Sequence, residues 1–121
     1  MNFHSIWDGG MIEEALDVQL GPHFMPDLRA TAADAKKLNE KIRDTDVTAW
    51  APDDLATRLD TATVEWANDS HALAQNAYRN LPTPRRNGWD QIYLDQEWSV
   101  VETQLARAGV RLAKILNETL H

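Results

Sequence analysis

Between Leu94 and Leu120 the residues Trp98, Val101, Leu105, Ala108, Leu112, Ile115 and Leu116 recur in steps of three and four. Only a helix gathers residues at that spacing onto one side. The spacing predicts a long amphipathic helix over 94–120, in which each large apolar side chain would contribute about 1.5–3 kcal/mol if fully buried. Alternating apolar and polar runs are absent, and Ala, Leu, Glu, Lys and Arg dominate the long segments. The expected fold class is therefore all-α, with three to four helices. At 121 residues the chain suits a single helical domain, 1–121.

Three further helices are expected. One runs from Phe3 to Leu20 and is broken or kinked at Gly9-Gly10, because each glycine costs a helix about 1 kcal/mol relative to alanine. Gly21-Pro22 should stop it, with a loop over 21–30. The second covers Ala32 to Arg43, with Thr31 as N-cap and a narrow stripe of Leu38 and Ile42. Asp44 to Thr48 reads as a polar connection. The third should begin near Pro52, a good first-turn residue, with Asp53 and Asp54 favouring the helix N-terminus. It runs to Asn80 and buries Leu55, Leu59, Ala62, Trp66, Leu73, Ala77 and Leu81. The stretch from Pro82 to Gly88 reads as a loop.

Composition narrows the function classes. There is no cysteine, hence no disulfide framework, thiolate zinc site or cysteine nucleophile. A net charge of −7 argues against nucleic-acid binding through a broad basic surface, but an acidic chain suits a site in which metal ions meet the phosphates. No apolar run approaches the roughly 18 residues of a membrane span, and MNFHSIWDGG lacks the pattern of a signal peptide.

The sharpest chemical candidate is His4-Ser5-Ile6-Trp7-Asp8. Residues four apart on a helix share a face, so an imidazole nitrogen and a carboxylate oxygen could reach one zinc ion at about 2.0–2.2 Å. The alternative is a plain contact at a helix start. His71 could be a ligand, but a polar-face residue bonded to a neighbour explains it more simply. His23 and His121 read as solvated. Glu13-Glu14 and Asp53-Asp54 read as solvated or helix-start charge. Arg85-Arg86 beside Trp89 could bind phosphate and stack a base, or simply form a solvated loop.

Longer stretches add a resemblance. Asn2-Phe3-His4-Ser5-Ile6-Trp7-Asp8 with Gly10-Met11-Ile12-Glu13 resembles the N-L-H-x-x-W-D-x-G-x-I segment of the zinc-dependent single-strand-specific nucleases of the S1/P1 type. Trp66-Ala67-Asn68-Asp69-Ser70 is similar to their W-A-x-E-S segment, with aspartate in place of the commoner glutamate. Gln104-Leu105-Ala106-Arg107-Ala108-Gly109-Val110-Arg111-Leu112-Ala113 is similar to their Q-L-A-x-A-G-x-R-L-A helix. The three stretches occur in the family's order, and they correspond to the C-terminal half of such an enzyme.

The resemblance implies a mostly helical fold related to zinc phospholipases C and a site of three zinc ions. It carries two metal ligands onto this chain, His4 and Asp8, which in the family share one zinc with an upstream histidine. The other ligands, the phosphate-contacting arginine and the base pocket come mostly from the family's N-terminal half. The implied reaction is hydrolysis of phosphodiester bonds in single-stranded DNA and RNA, and of 3′-phosphomonoesters. Zinc would supply hydroxide near neutral pH, and an unstacked base would enter a pocket. Secretion or export to the periplasm is implied as well. The isolated chain is expected to be a poor nuclease, with the missing half as its partner and self-association through uncovered apolar faces. The rival reading is a non-enzymatic helical interaction module, possibly a homodimer.

Overall fold

The computed structural model describes residues 3–17, 28–82 and 90–120, with the side chains of Phe3 and Asp8 outside that description. The described residues contain no strand, and the all-α class holds. The chain divides into two compact units, Met1–Lys41 and Ile42–His121.

The first unit opens with one continuous helical run. Helix α1 (Phe3–Ser5) widens into a π turn at Ile6–Gly10, and α2 (Met11–Leu16) follows. Gly9-Gly10 thus does not break the helix: both glycines lie inside the π turn, whose closing bond runs from the Met11 N–H to the Ile6 carbonyl. Residues five apart on a regular α-helix diverge by about 140°, whereas a π turn, closing over five residues, returns them to nearly the same side. Ile6 and Met11 are both buried. The run ends earlier than Leu20. Asp17 adopts the left-handed conformation (φ 51°) and donates its N–H to the Glu13 carbonyl, a conformation aspartate tolerates better than most residues. Gly21-Pro22, His23 and Pro26 lie outside the described residues.

Helix α3 (Leu28–Glu40) begins before the expected Ala32, so Thr31 is internal rather than an N-cap. It buries no residue fully, in keeping with the narrow stripe of its sequence. Lys37 pairs with Asp34 at 3.3 Å along its surface.

The second unit corrects the expected connection at 44–48, which is helix α4 (Asp44–Trp50). Asp46 makes the helix start. Its carboxylate accepts from the Arg43 backbone N–H at 3.0 Å and from the Arg43 guanidinium at 3.0 and 2.9 Å. The Asp46 N–H in turn donates to the Arg43 carbonyl. A carboxylate in the first turn also faces the positive helix end.

Pro52 starts no helix. Asp54 is left-handed (φ 64°), a 3-10 turn spans Leu55–Arg58, and α5 (Leu59–Arg79) begins after it. Helix α6 (Gln91–Thr119) is capped by Asp90, whose side chain accepts from the Ile92 N–H at 2.9 Å. Helices α5 and α6 run antiparallel. The Tyr93 hydroxyl donates to the Ala77 carbonyl at 3.2 Å at one end, while Val110 and Ile115 pack with Trp66 on the cluster of Ala51, Leu55 and Ala62 at the other.

Beyond that cluster the far end of α6 is strapped by polar groups. Glu118 accepts from the Ala56 N–H at 2.8 Å. Lys114 reaches Asp53 at 2.7 Å and Glu118 at 3.4 Å. Asp53 therefore serves this strap rather than a helix N-terminus.

The expected apolar face of α6 is only partly buried. Trp98, Val101 and Ile115 are half-buried, but Leu105, Leu112 and Leu116 remain 46%, 58% and 43% exposed. The face that packs is the neighbouring one, bearing Arg107, Val110 and Arg111.

Two outcomes follow for stability. Leu55 is 1% exposed, so Leu55→Ala should cost about 2–5 kcal/mol in urea unfolding. The strap gives a pH window. The Ala56 N–H and then Lys114 hold Glu118 below the usual carboxylate range, and Lys114 does the same for Asp53. Hydrogen bonding to Asp53 and Glu118 raises Lys114. A lowered carboxylate contributes stability above its unfolded value and loses it as pH falls through the folded one. A raised lysine contributes below its unfolded value and loses it as pH rises through the folded one. The urea midpoint should hold between about pH 5 and 10 and fall on either side. Glu118→Gln should flatten the acid limb; an unchanged acid limb would remove the strap from the account.

Candidate functional site

His4 sits in α1, one helical turn before the position of Asp8 in the π turn. The His4 side chain is exposed. Backbone continuity from α1 into the π turn keeps positions 4 and 8 within about one turn of each other. The side chain of Asp8 lies outside the described residues, so the structure gives no distance between the two groups. The π turn that follows α1 and contains position 8 is the only such segment among the described residues, and π turns inside α-helices are frequent at functional positions.

The donor types fit zinc: a ring nitrogen and a carboxylate oxygen are both usual ligands. The number does not. A closed or catalytic zinc site takes three or four protein ligands, and the described residues contain no group of three His, Cys, Asp or Glu side chains able to hold an ion. Two donors alone do not complete a zinc site.

His71 stands in α5, exposed, with its Nε2 3.0 Å from the Gln75 amide nitrogen. That is the neighbour-bonded polar-face arrangement. His71, Gln75, Tyr78 and Arg79 border a surface depression, and among the described residues α5 alone lines it. Arg85, Arg86, Trp89 and His121 lie outside the described residues.

The structure does join two stretches that are remote in sequence. The Arg111 guanidinium lies 4.6 Å from the centre of the Trp66 ring, and its Nε donates to the Trp50 carbonyl at 3.2 Å. Arg107, one turn earlier, lies 5.7 Å from the Trp50 ring centre and donates to Gln104 at 3.2 Å. Its Nε is buried without a hydrogen-bond partner. Two cations one turn apart repel. Burial first, and then Arg107, push Arg111 down from its ordinary value, while Asp69 opposes them. Trp50, Trp66, Arg107 and Arg111 thus form one clamp between α4, α5 and α6. The arginine pair and Trp50 escaped the sequence reading; the available signal was the spacing of Arg107, Arg111, Lys114 and Glu118 on a single side of α6.

Comparison with known proteins gives one match. The family model for the S1/P1 nucleases covers residues 1–121, the whole chain. No curated protein and no solved structure matches. The clamp residues and the His4–Asp8 segment both lie within the matched span.

Lysine in place of Arg111 keeps the charge but loses the planar stack on Trp66 and the aimed Nε donor. Arg111→Lys should lower stability by about 1–2 kcal/mol, read as a fall in the urea midpoint with unchanged helix content. A variant as stable as the parent would show that the stack contributes nothing.

Proposed function

Because the chain belongs to the S1/P1 nuclease family, we propose that it acts in hydrolysing phosphodiester bonds of single-stranded DNA and RNA, with 3′-phosphomonoesters as further substrates. The observation that carries this reading is the His4-Ser5-Ile6-Trp7-Asp8 segment inside a family match over the full sequence. Zinc, when bound, brings the pKa of a coordinated water toward neutrality and stabilises charge on the phosphoryl oxygens.

This chain's own contribution is to hold part of one zinc site. His4 would ligate through a ring nitrogen and Asp8 through its carboxylate, both on the helical run that Ile6 and Met11 anchor by burial. Two donors leave the coordination shell open, so the remaining ligands are supplied by a second, ligand-bearing half of the enzyme. The negative net charge suits this chemistry, because metal cations, rather than a basic surface, meet the phosphates. The family is generally secreted, and export or a periplasmic location is proposed for this protein too. No helix among the described residues is long and apolar enough to cross a membrane.

Equilibrium dialysis against zinc tests the ligand assignment. The chain should take up zinc weakly, and His4→Ala should lose that uptake; equal uptake by the two proteins would overturn the assignment. On a single-stranded oligonucleotide, the chain alone should cleave no faster than free zinc. Efficient cleavage that a chelator stops would show that the site is complete without a second half.

A further inference from the structure

Towards the C-terminal end of α5, the depression bordered by His71, Ala74, Gln75, Tyr78 and Arg79 has a volume of about 580 Å³. Small-molecule sites usually span about 300–1,000 Å³. Its side chains keep bonding capacity in reserve. The Arg79 Nε donates to the Gln75 carbonyl at 3.3 Å, and a terminal guanidinium nitrogen donates to the Asn76 side-chain oxygen. A guanidinium has five N–H donors, so three remain. No carboxylate among the described residues pairs with Arg79, a cation that the negative end of the helix dipole favours in this last turn. The Gln75 amide nitrogen lies 3.0 Å from the His71 Nε2. An amide nitrogen can only donate, so the second N–H and the Oε1 of Gln75 stay available side by side. The Tyr78 ring, on the same border, is 62% exposed.

These groups divide by chemistry. An exposed aromatic ring is a platform on which a flat base stacks. A neighbouring amide N–H and oxygen match the paired donor and acceptor on the edge of a base. A guanidinium fork suits a phosphate. Inorganic phosphate would leave Tyr78 and Gln75 idle, and a purely apolar ligand would leave Arg79 unanswered. Positions 75–79 span about 6 Å of helix axis, short enough for one molecule to touch all three side chains. We infer that the depression is a nucleotide subsite, which takes one base with its phosphate from a single-stranded nucleic acid. Tyr78 stacks the base, Gln75 meets its edge and Arg79 holds the phosphate. A base already stacked on both sides in a duplex offers Tyr78 no face, so the subsite favours single strands. The choice of ligand rests on the nuclease reading, but the subsite uses neither His4 nor Asp8 and takes no part in bond cleavage.

Adenosine 5′-monophosphate, added to about 20 mM to the isotope-labelled full chain without zinc, tests the subsite. The readout is the NMR resonances of the His71 ring and the Gln75 amide. The expected result is a saturable shift with a dissociation constant near roughly 1 mM. Tyr78→Ala should weaken binding at least about fivefold, and Arg79→Gln at least about tenfold. Tyr78→Phe, which keeps the ring, should bind as the parent does. Circular dichroism checks that each variant keeps its helices. Adenosine alone and inorganic phosphate alone should each bind more weakly than the nucleotide. Phosphate bound as tightly as the nucleotide would reduce the depression to a plain anion site and overturn the assignment. So would the absence of any shift, or a shift that Tyr78→Ala and Arg79→Gln leave unchanged. His4→Ala should bind the nucleotide normally. A chain that binds it on α5 yet takes up no zinc would fault the zinc assignment alone, and zinc uptake without nucleotide binding would fault the subsite alone.

Discussion

The stacking of Arg111 between the Trp66 ring and the Trp50 carbonyl is the contact on which the second unit depends. The apolar cluster there is small: two of its three buried members, Ala51 and Ala62, are alanines. So little buried area leaves a unit of this length near the margin of stability. Long amphipathic side chains make up the difference. Arg107 and Arg111 lay their apolar stems and flat guanidiniums over tryptophan rings while their heads find oxygen acceptors. The mutual repulsion of the pair is tolerated because Asp69 and the two ring faces answer it. The family-like stretches around Trp66 and Arg111 therefore belong together for a mechanical reason.

Much of this architecture was legible from periodicity. The long helix ending near Thr119, the Ala62–Ala77 side of α5 and the neighbour-bonded His71 all follow from spacing alone. Periodicity failed where one local bond decided the outcome. At Asp44–Thr48, polar composition suggests a connection, yet three bonds from Arg43 to the Asp46 carboxylate start a helix. At Pro52 a favourable first-turn residue starts nothing, because Asp54 turns left-handed two residues later. Side-chain ion pairs of this kind leave no periodic trace.

The orientation of α6 was misread for a different reason. Its leucines give the largest apolar signal, and apolar signal is ordinarily a guide to burial. In this unit the packed side is instead the one with arginines, because tryptophan faces accept cations as readily as methyls. The proposed zinc ligation rests on a third kind of signal. Spacing alone made His4 and Asp8 unremarkable, and it was the longer motif around them that gave the pair meaning.

The π turn at Ile6–Gly10 amounts to one supernumerary residue threaded into an otherwise ordinary coil. What it stores is a count, not a composition. Excising either glycine would let the coil relax to its common pitch with Met11 four residues after Ile6, about 40° round the helix and still on the side the two share. Every candidate donor and every anchoring side chain would keep its phase. A single-codon deletion is thus absorbed at the paired glycines, whereas the same deletion in the regular turns of a helix would swing all that follows by about 100°.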